Sequence, residues 1–422
     1  MNSIGVIDRG KVERIKQLWK SNRVRHITFE STKDAEKYFR ESERVDVSTE
    51  DSPEKVFMLR VSDQQNKDHW HIYSDSGRCS FSRAGCNLFQ YLDRLEEING
   101  LERIDMSDAT TMDRMFIYCQ SLKNLDLSSW NTSKVKDMKW MFHACRSLEN
   151  LNLQDFDASN VRDMTGMFAE CESLTHLDLS EWNVPNVDST GRMFNGCGAL
   201  QSIDLSGWHL SNVRFINDMF NGCGALTSVD TSVFCYAEPL SVDSLFRGCT
   251  SLRSIDLEPI DTAHASGFEH LFDGCRSLTE LDVSSLNTGY ALNMEKMFAE
   301  CSSLKEIKGI TWLCTERVST MNSMFQGCRS LKELDLLGFD TSNTQDLTCM
   351  FDGCESLETI RMPCASTAKG PRVGCIFNGC ESLKEVELPR HPMAARSLKA
   401  QAKTVLEGNH TKIKTPEQGN TR

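Results

Sequence analysis

The chain has 422 residues, 39% of them hydrophobic, and a formal net charge of −13. That supplies enough apolar material for a large core, while the absence of any run of about 18 apolar residues excludes a membrane-spanning helix. The acidic balance argues against nonspecific nucleic-acid binding, which needs a basic face.

At the N-terminus, Arg9, Lys11, Glu13, Arg14 and Lys16 stand where an export signal needs an apolar run. The expectation is therefore a protein that stays inside, leaves by a signal-independent route, or starts further upstream. Val12, Ile15, Leu18 and Trp19 recur at helical spacing and predict a short amphipathic helix. Strands are predicted at Val24–Phe29, Val56–Val61 and His69–Tyr73, with a helix at Lys33–Phe39. Residues 1–88 thus read as a small α+β module, or as a cap over the apolar edge of the first repeat. Within it, His69 and His71 sit on one strand face, where both could touch a metal. A lone pair at that spacing is weak, and we assign no metal site and no cofactor.

From residue 89 the chain repeats. Phe89, Leu92, Leu95, Ile98 and Leu101 form a degenerate first copy. Eleven copies of Phe-x-x-Cys-x-x-Leu come after it, with phenylalanines from Phe116 to Phe377. The step is 26 residues, except for 27 between Phe298 and Phe325. A fixed period of this size marks a solenoid. In one unit, Leu122, Leu125 and Leu127 alternate as a short strand, and Trp130 closes it. Asn131, Thr132 and Ser133 form a turn able to cap a helix, and Val135, Met138, Met141, Phe142 and Cys145 form an apolar stripe at helical spacing. The prediction is an α/β solenoid, a leucine-rich-repeat-like array of about eleven strand-plus-helix units over residues 89–389.

Several columns persist along the array. Eleven cysteines, from Cys119 to Cys380, fall in register and read as buried free thiols packed turn on turn. Such thiols suit a reducing or anaerobic setting. Trp130, Phe156, Trp182, Trp208, Phe234, Ile260, Leu286, Trp312 and Phe339 form a bulkier inward column. The extra residue of the 27-residue unit is predicted between Trp312 and Val318. Met115, Met141, Met167 and their counterparts are core. The unit from Leu226 to Phe246 departs from the pattern at Thr231, Cys235 and Pro239.

Between the two inward strand leucines lies an outward acidic column: Asp126, Asp178, Asp204, Asp230, Asp256, Asp282 and Asp335, interrupted by Asn152, Lys308 and Arg361. Stacked carboxylates repel by roughly 1 kcal/mol in water, so something must offset them. Either each accepts hydrogen bonds from neighbouring backbone or serine groups, or the row binds a basic partner or cations. The flanking outward positions vary, from Asn124, Asn150 and His176 to Glu280, Glu333 and Thr359, as on a tuned binding face. No phosphate loop, nucleophile elbow or Ser/His/Asp set is present, so no catalytic residue is assigned. Residues 390–422 carry seven Lys or Arg against two Glu and read as a basic mobile tail, in which Met393 to Leu406 could form one helix.

The repeat resembles the BspA-type leucine-rich repeat proteins, a repeat also found in mycoplasma lipoproteins. The family phrase stands nearly complete as Asp157-Ala158-Ser159-Asn160-Val161, Met164, Met167-Phe168, Cys171, Ser173-Leu174 and Leu177-Asp178-Leu179-Ser180, with a second copy at Asp340-Thr341-Ser342-Asn343. The resemblance implies a noncatalytic bacterial surface protein that adheres to a host or matrix protein. The alternative is an intracellular scaffold or sensor with residues 1–88 or the tail as output. Leu226→Asp places an unpaired charge in an inward column and should cost several kcal/mol; an unchanged melting temperature would show that this register is wrong.

Overall fold

A computed structural model describes residues 4–8, 11, 14, 17, 19, 24–38, 44–61, 69–81, 88–235, 237–361, 371–387 and 412–414. Lys11, Arg14, Gln17 and Trp19 are helical, in keeping with the first predicted helix, whereas Val12, Ile15 and Leu18 of its stripe lie outside these residues. So do Phe39, Cys86, Cys364 and the segment 393–406. Among the described residues no helix is long and apolar enough to cross a membrane. The chain divides into two compact units, Met1–His209 and Leu210–Arg422.

The first unit opens with a five-stranded sheet in the order β3 (Arg44–Asp46), β4 (Val56–Val61), β5 (His69–Ser74), β2 (His26–Ser31), β7 (Glu97–Asn99). β2 runs parallel to both β5 and β7, whereas β3, β4 and β5 alternate in direction. A one-turn helix, Thr32–Ala35, follows β2 and is capped by Ser31 Oγ, which accepts from Asp34 N at 3.2 Å. A smaller parallel sheet joins β1 (Gly5–Ile7), β6 (Cys79–Phe81) and β8 (Ile104–Asp105). β7 comes from the degenerate first copy, so the sheet continues past residue 88 into the repeats. Phe89 of that copy stacks on Phe116, with ring centroids 5.1 Å apart.

The repeat strands are three residues long: β9 (Asn124–Asp126), β10 (Asn150–Asn152), β11 (His176–Asp178) and β12 (Ser202–Asp204). They pair in parallel as β9 with β10 and β11 with β12, identical positions opposite one another. In the second unit β13 (Glu280–Asp282) pairs with β14 (Glu306–Lys308). β15 (Glu333–Asp335), β16 (Thr359–Arg361), β17 (Glu385–Glu387) and β18 (Lys412–Lys414) form one sheet. Residues 228–230 and 254–256, the expected strands of the aberrant unit and its successor, form none.

The helix predicted in each repeat does not form. Residues 139–144 are instead a run of overlapping turns, although Val135, Met138, Met141, Phe142 and Cys145 are all buried as expected. The hydrogen bonds give the reason. Met138, Trp140, Phe142 and Ala144 donate their N–H groups to the carbonyls of Asp163, Thr165, Met167 and Ala169 in the next coil, at 2.8–3.0 Å. The intervening Met141, His143 and Cys145 donate three residues back, to Met138, Trp140 and Phe142. A helix keeps every interior N–H for itself; here alternate peptides turn outward to the neighbour. That alternation needs a left-handed residue twice per coil, and Trp140 (φ 56°) and Ala144 (φ 59°) supply it. At the second of these positions seven of the eleven copies carry glycine, from Gly196 to Gly379, where no Cβ opposes the conformation.

The predicted cap is reassigned by the same logic. Asn131 Oδ1 accepts from Ser133 N at 3.1 Å, making a local turn. Thr132 is buried and serves the next coil: its hydroxyl accepts from Asp157 N at 2.8 Å and donates to Asp157 O at 3.0 Å. Inside the coils the phenylalanines stack in near-parallel pairs, 5.5–5.6 Å apart from Phe116 to Phe194 and 5.5–6.0 Å from Phe220 to Phe377. Each such pair contributes roughly 1 kcal/mol beyond its burial. The cysteine column is buried and unbridged. Cys171 Sγ, for example, donates to Phe142 O at 3.3 Å, one coil before, a carbonyl that also accepts from Cys145 N. Burial pushes the Cys145, Cys197 and Cys249 thiols up to about 12.

One column position is corrected. Trp312 is 70% exposed and Leu313 only 1%, so Leu313 takes the inward place. The extra residue of the long unit therefore lies between Ile307 and Leu313, before the column and not after it. It is absorbed by a bulge in which Gly309 (φ 74°) leads into a 3₁₀ turn at Ile310–Trp312. Leu313→Ala should cost about 3 kcal/mol, whereas Trp312→Ala should change stability by less than about 0.5 kcal/mol. Denaturant midpoints of the two variants test this register.

Candidate functional site

All seven aspartates of the predicted site do the same local work. Oδ1 of Asp126, Asp178, Asp204, Asp230, Asp256, Asp282 and Asp335 accepts the backbone N–H two residues on, at 2.9–3.0 Å. Each closes a turn where its strand ends or would end, the role aspartate fills at chain reversals. Ser128 Oγ and Ser180 Oγ add second donors to Asp126 and Asp178, each at 2.7 Å. Hydrogen bonds from Ser128, Ser180 and Ser284 hold the carboxyls of Asp126, Asp178 and Asp282 below the usual range.

The column is not uniformly acidic in space. In the first unit Asp178 stands directly opposite Asp204, and Asp126 opposite Asn152. In the second, Asp282 faces Lys308, and Arg361 lies between Asp335 (2.8 Å) and Glu387 (3.0 Å). Cations thus interrupt the acidic column only beyond Asp282, while Asp178 and Asp204 stand as adjacent carboxylates. Asp230 caps a 3₁₀ turn at Thr231–Phe234, and Asp256 lies outside the regular strands.

The first unit holds a groove of about 780 Å³ on this face, bounded by His26, Glu96 and strands β7, β9 and β10, and reaching His176. Glu96, Glu97, Asp126 and Glu149 line it against a single lysine, Lys123. Asn150 Nδ2 donates to Asn124 Oδ1 at 2.6 Å across its floor. His26 bridges toward Glu97 at 3.4 Å and Glu96 at 4.0 Å. The predicted histidine pair lies nearby: the His69 and His71 rings stack at 4.3 Å, and His26 approaches His69 at 5.7 Å. His71 Nδ1 is hydrogen-bonded to Glu30, and His69 Nε2 to Thr28 Oγ1 at 2.9 Å. Among the described residues no group of three or more His, Cys, Asp or Glu is placed to hold a metal ion.

A second outward face was not read from the sequence. In the column of Asn160, Asn186 and Asn343, each amide donates to a carbonyl of the coil before, at 2.6–2.8 Å. In the second unit Glu238, His264, Tyr290 and Arg317 take this column. Arg317 lies over the Tyr290 ring at 5.2 Å, and His264 lies 4.0 Å from Glu238 and 6.5 Å from the Tyr290 ring. Tyr290 and nearby Leu292 are exposed. The signal was available as the loss of the repeated asparagine.

The family described as "Mycoplasma protein of unknown function, DUF285" matches the chain over residues 86–202, 150–252 and 240–361. No curated protein matches. Six solved chains match. One, described as "Crystal structure of TLR13-ssRNA13 complex", is 16% identical over 75% of this chain and 49% of that one. Its TM-score of 0.24 is too low to carry structural or functional inference.

The histidine stack predicts an acid response. Burial first, then the neighbouring His71 and His26, lowers His69 to about 4, below the ordinary 6.5. As pH falls below 6.5 the unfolded chain gains a proton that folded His69 refuses, so stability present above 6.5 is lost progressively toward pH 4. Melting temperatures at pH 7.5 and 5 should differ less in His69→Asn than in the wild type.

Proposed function

The chain belongs to the DUF285 family, and from that premise we propose a noncatalytic protein-binding repeat protein, an adhesion protein of the BspA type acting at a cell surface. The reading rests above all on the strand face of the first unit. There an invariant buried frame of Phe, Cys and Leu carries outward residues that change from coil to coil around an acidic groove. A constant core with variable exterior leaves binding specificity to be set without disturbing the fold. Carboxylates from Glu96 to Asp204 favour a ligand rich in lysine or arginine, whose approach the field would accelerate. Turn-forming Oδ1 atoms do not exclude this role, since Asp126, Asp178 and Asp204 remain exposed.

Free exposed thiols at Cys235 and Cys314 favour a second reading, an intracellular scaffold in a reducing compartment. Labelling of intact source cells with a membrane-impermeant amine reagent separates the two readings. Labelling well above a cytoplasmic control supports the surface assignment, and labelling equal to the control supports the scaffold.

The ligand-binding face is testable with a fluorescent heptalysine peptide. Asp126→Asn, Asp178→Asn and Asp204→Asn together keep the turn acceptor and remove charge. Anisotropy titration at low salt should show peptide affinity reduced about tenfold or more. Undiminished binding by the folded triple variant would sink the strand-face assignment.

A further inference from the structure

Two thiols outside the buried ladder stand together in the second unit. Cys349 and Cys375 occupy the first left-handed position of consecutive coils, with φ of 57° and 56°. They are 26 residues apart, one repeat, and so hold the same place in adjoining coils. Cys349 N donates to Gly374 O at 2.8 Å, which locks the two coils side by side at this point. Hydrogen-bonded neighbouring chains run about 4.8 Å apart, within the Cα separation that a disulfide spans. The Cys375 thiol is close enough to help raise that of Cys349. Cys375 is exposed and Cys349 half-buried, whereas the ladder cysteines are sealed inside the coils.

We propose that Cys349 and Cys375 form a reversible redox pair, closed to an intramolecular disulfide by a low-molecular-weight disulfide such as oxidised glutathione. The exposed Cys375 thiolate attacks one sulfur of the small disulfide, breaking its S–S bond and releasing one small thiolate, which takes up the proton lost by Cys375. Deprotonated Cys349 then attacks Sγ of Cys375, expelling the second small thiolate, which takes up the Cys349 proton. The two protein thiols lose two electrons and two protons, and the small disulfide gains both. The order follows access: burial, then the nearby Asp352, raises the Cys349 thiol and makes it the resolving partner. The ladder thiols stay out of the exchange because burial holds them protonated and enclosed. The bond would staple two adjoining coils in oxidising surroundings and release them in reducing ones.

The test uses the full chain carrying Cys235→Ser and Cys314→Ser, incubated in glutathione buffers of graded redox ratio, quenched with N-ethylmaleimide and digested without reduction. Mass spectrometry should find a Cys349–Cys375 linked peptide two hydrogens lighter than the pair, which dithiothreitol reverses. In Cys349→Ser the exchange should stop at a glutathione adduct on Cys375. Adduct without cross-link in the parent chain, both thiols alkylated under the most oxidising buffer, or a disulfide-linked dimer would overturn the proposal. So would a cross-link that appears only where the ladder cysteines are alkylated as well, since it would report an opened chain.

Discussion

Each coil of this protein leaves half of the N–H groups in its turn segment pointing at the next coil, and that constraint shapes the rest. Buried backbone donors must be paired. In residues 138–145 the pairing alternates between a local turn and the neighbouring coil. A coil can therefore satisfy its own backbone only when another lies against it in register. The 26-residue period is the consequence: a change of length must be absorbed where the ladder is not continuous. The single 27-residue unit does so in the bulge at Gly309–Trp312, between strand and inward column.

Registration then carries side chains into columns. Phenylalanine rings stack because their Cα atoms repeat, and thiols such as those of Cys145, Cys171 and Cys249 meet a phenylalanine carbonyl one coil back. Cysteine suits that place by size and by being a weak donor to an acceptor already engaged. On the outside, the same registration brings like charges together. Lys308 and Arg361 separate the acids beyond Asp282, and nothing separates Asp178 from Asp204. In the first unit the adjacent Asp178 and Asp204 lie on the same strand face as the groove of His26, Glu97 and Asp126. The turn role of the aspartates and a role in ligand capture are compatible, because one uses a single carboxylate oxygen and the other the net charge.

Much of this was legible in the residues. The period, the buried columns and the short strands at Asn124–Asp126 and its counterparts follow from spacing alone, since apolar residues at fixed intervals can only be buried by stacking. The aspartate turns were one of the two readings that the sequence allowed. The helix that the spacing predicts fails for an identifiable reason. Apolar residues at intervals of three and four also suit successive turns, and periodicity records which side chains face inward, not where the N–H groups go. Glycine recurring from Gly196 to Gly379 in mid-stripe was the contrary signal. Trp312 was misplaced because its identity matched the column, whereas its neighbour Leu313 had the right distance to Val318.

The sequence by itself determined the repeat, its core composition and the acidic character of the outward strand positions. These depend on residue type at a fixed interval, which any stacked arrangement must respect. Only the tertiary structure decided that the stripe is a ladder of turns, that β7 serves both the first copy and the N-terminal sheet, and that His26 and Glu97 join Asp126 and Asn150 around one groove. It also set Cys349 beside Cys375 as an exposed pair. The physical reason is that hydrogen bonds between coils and contacts between distant segments are set by register in space, and register is a property of two strands together.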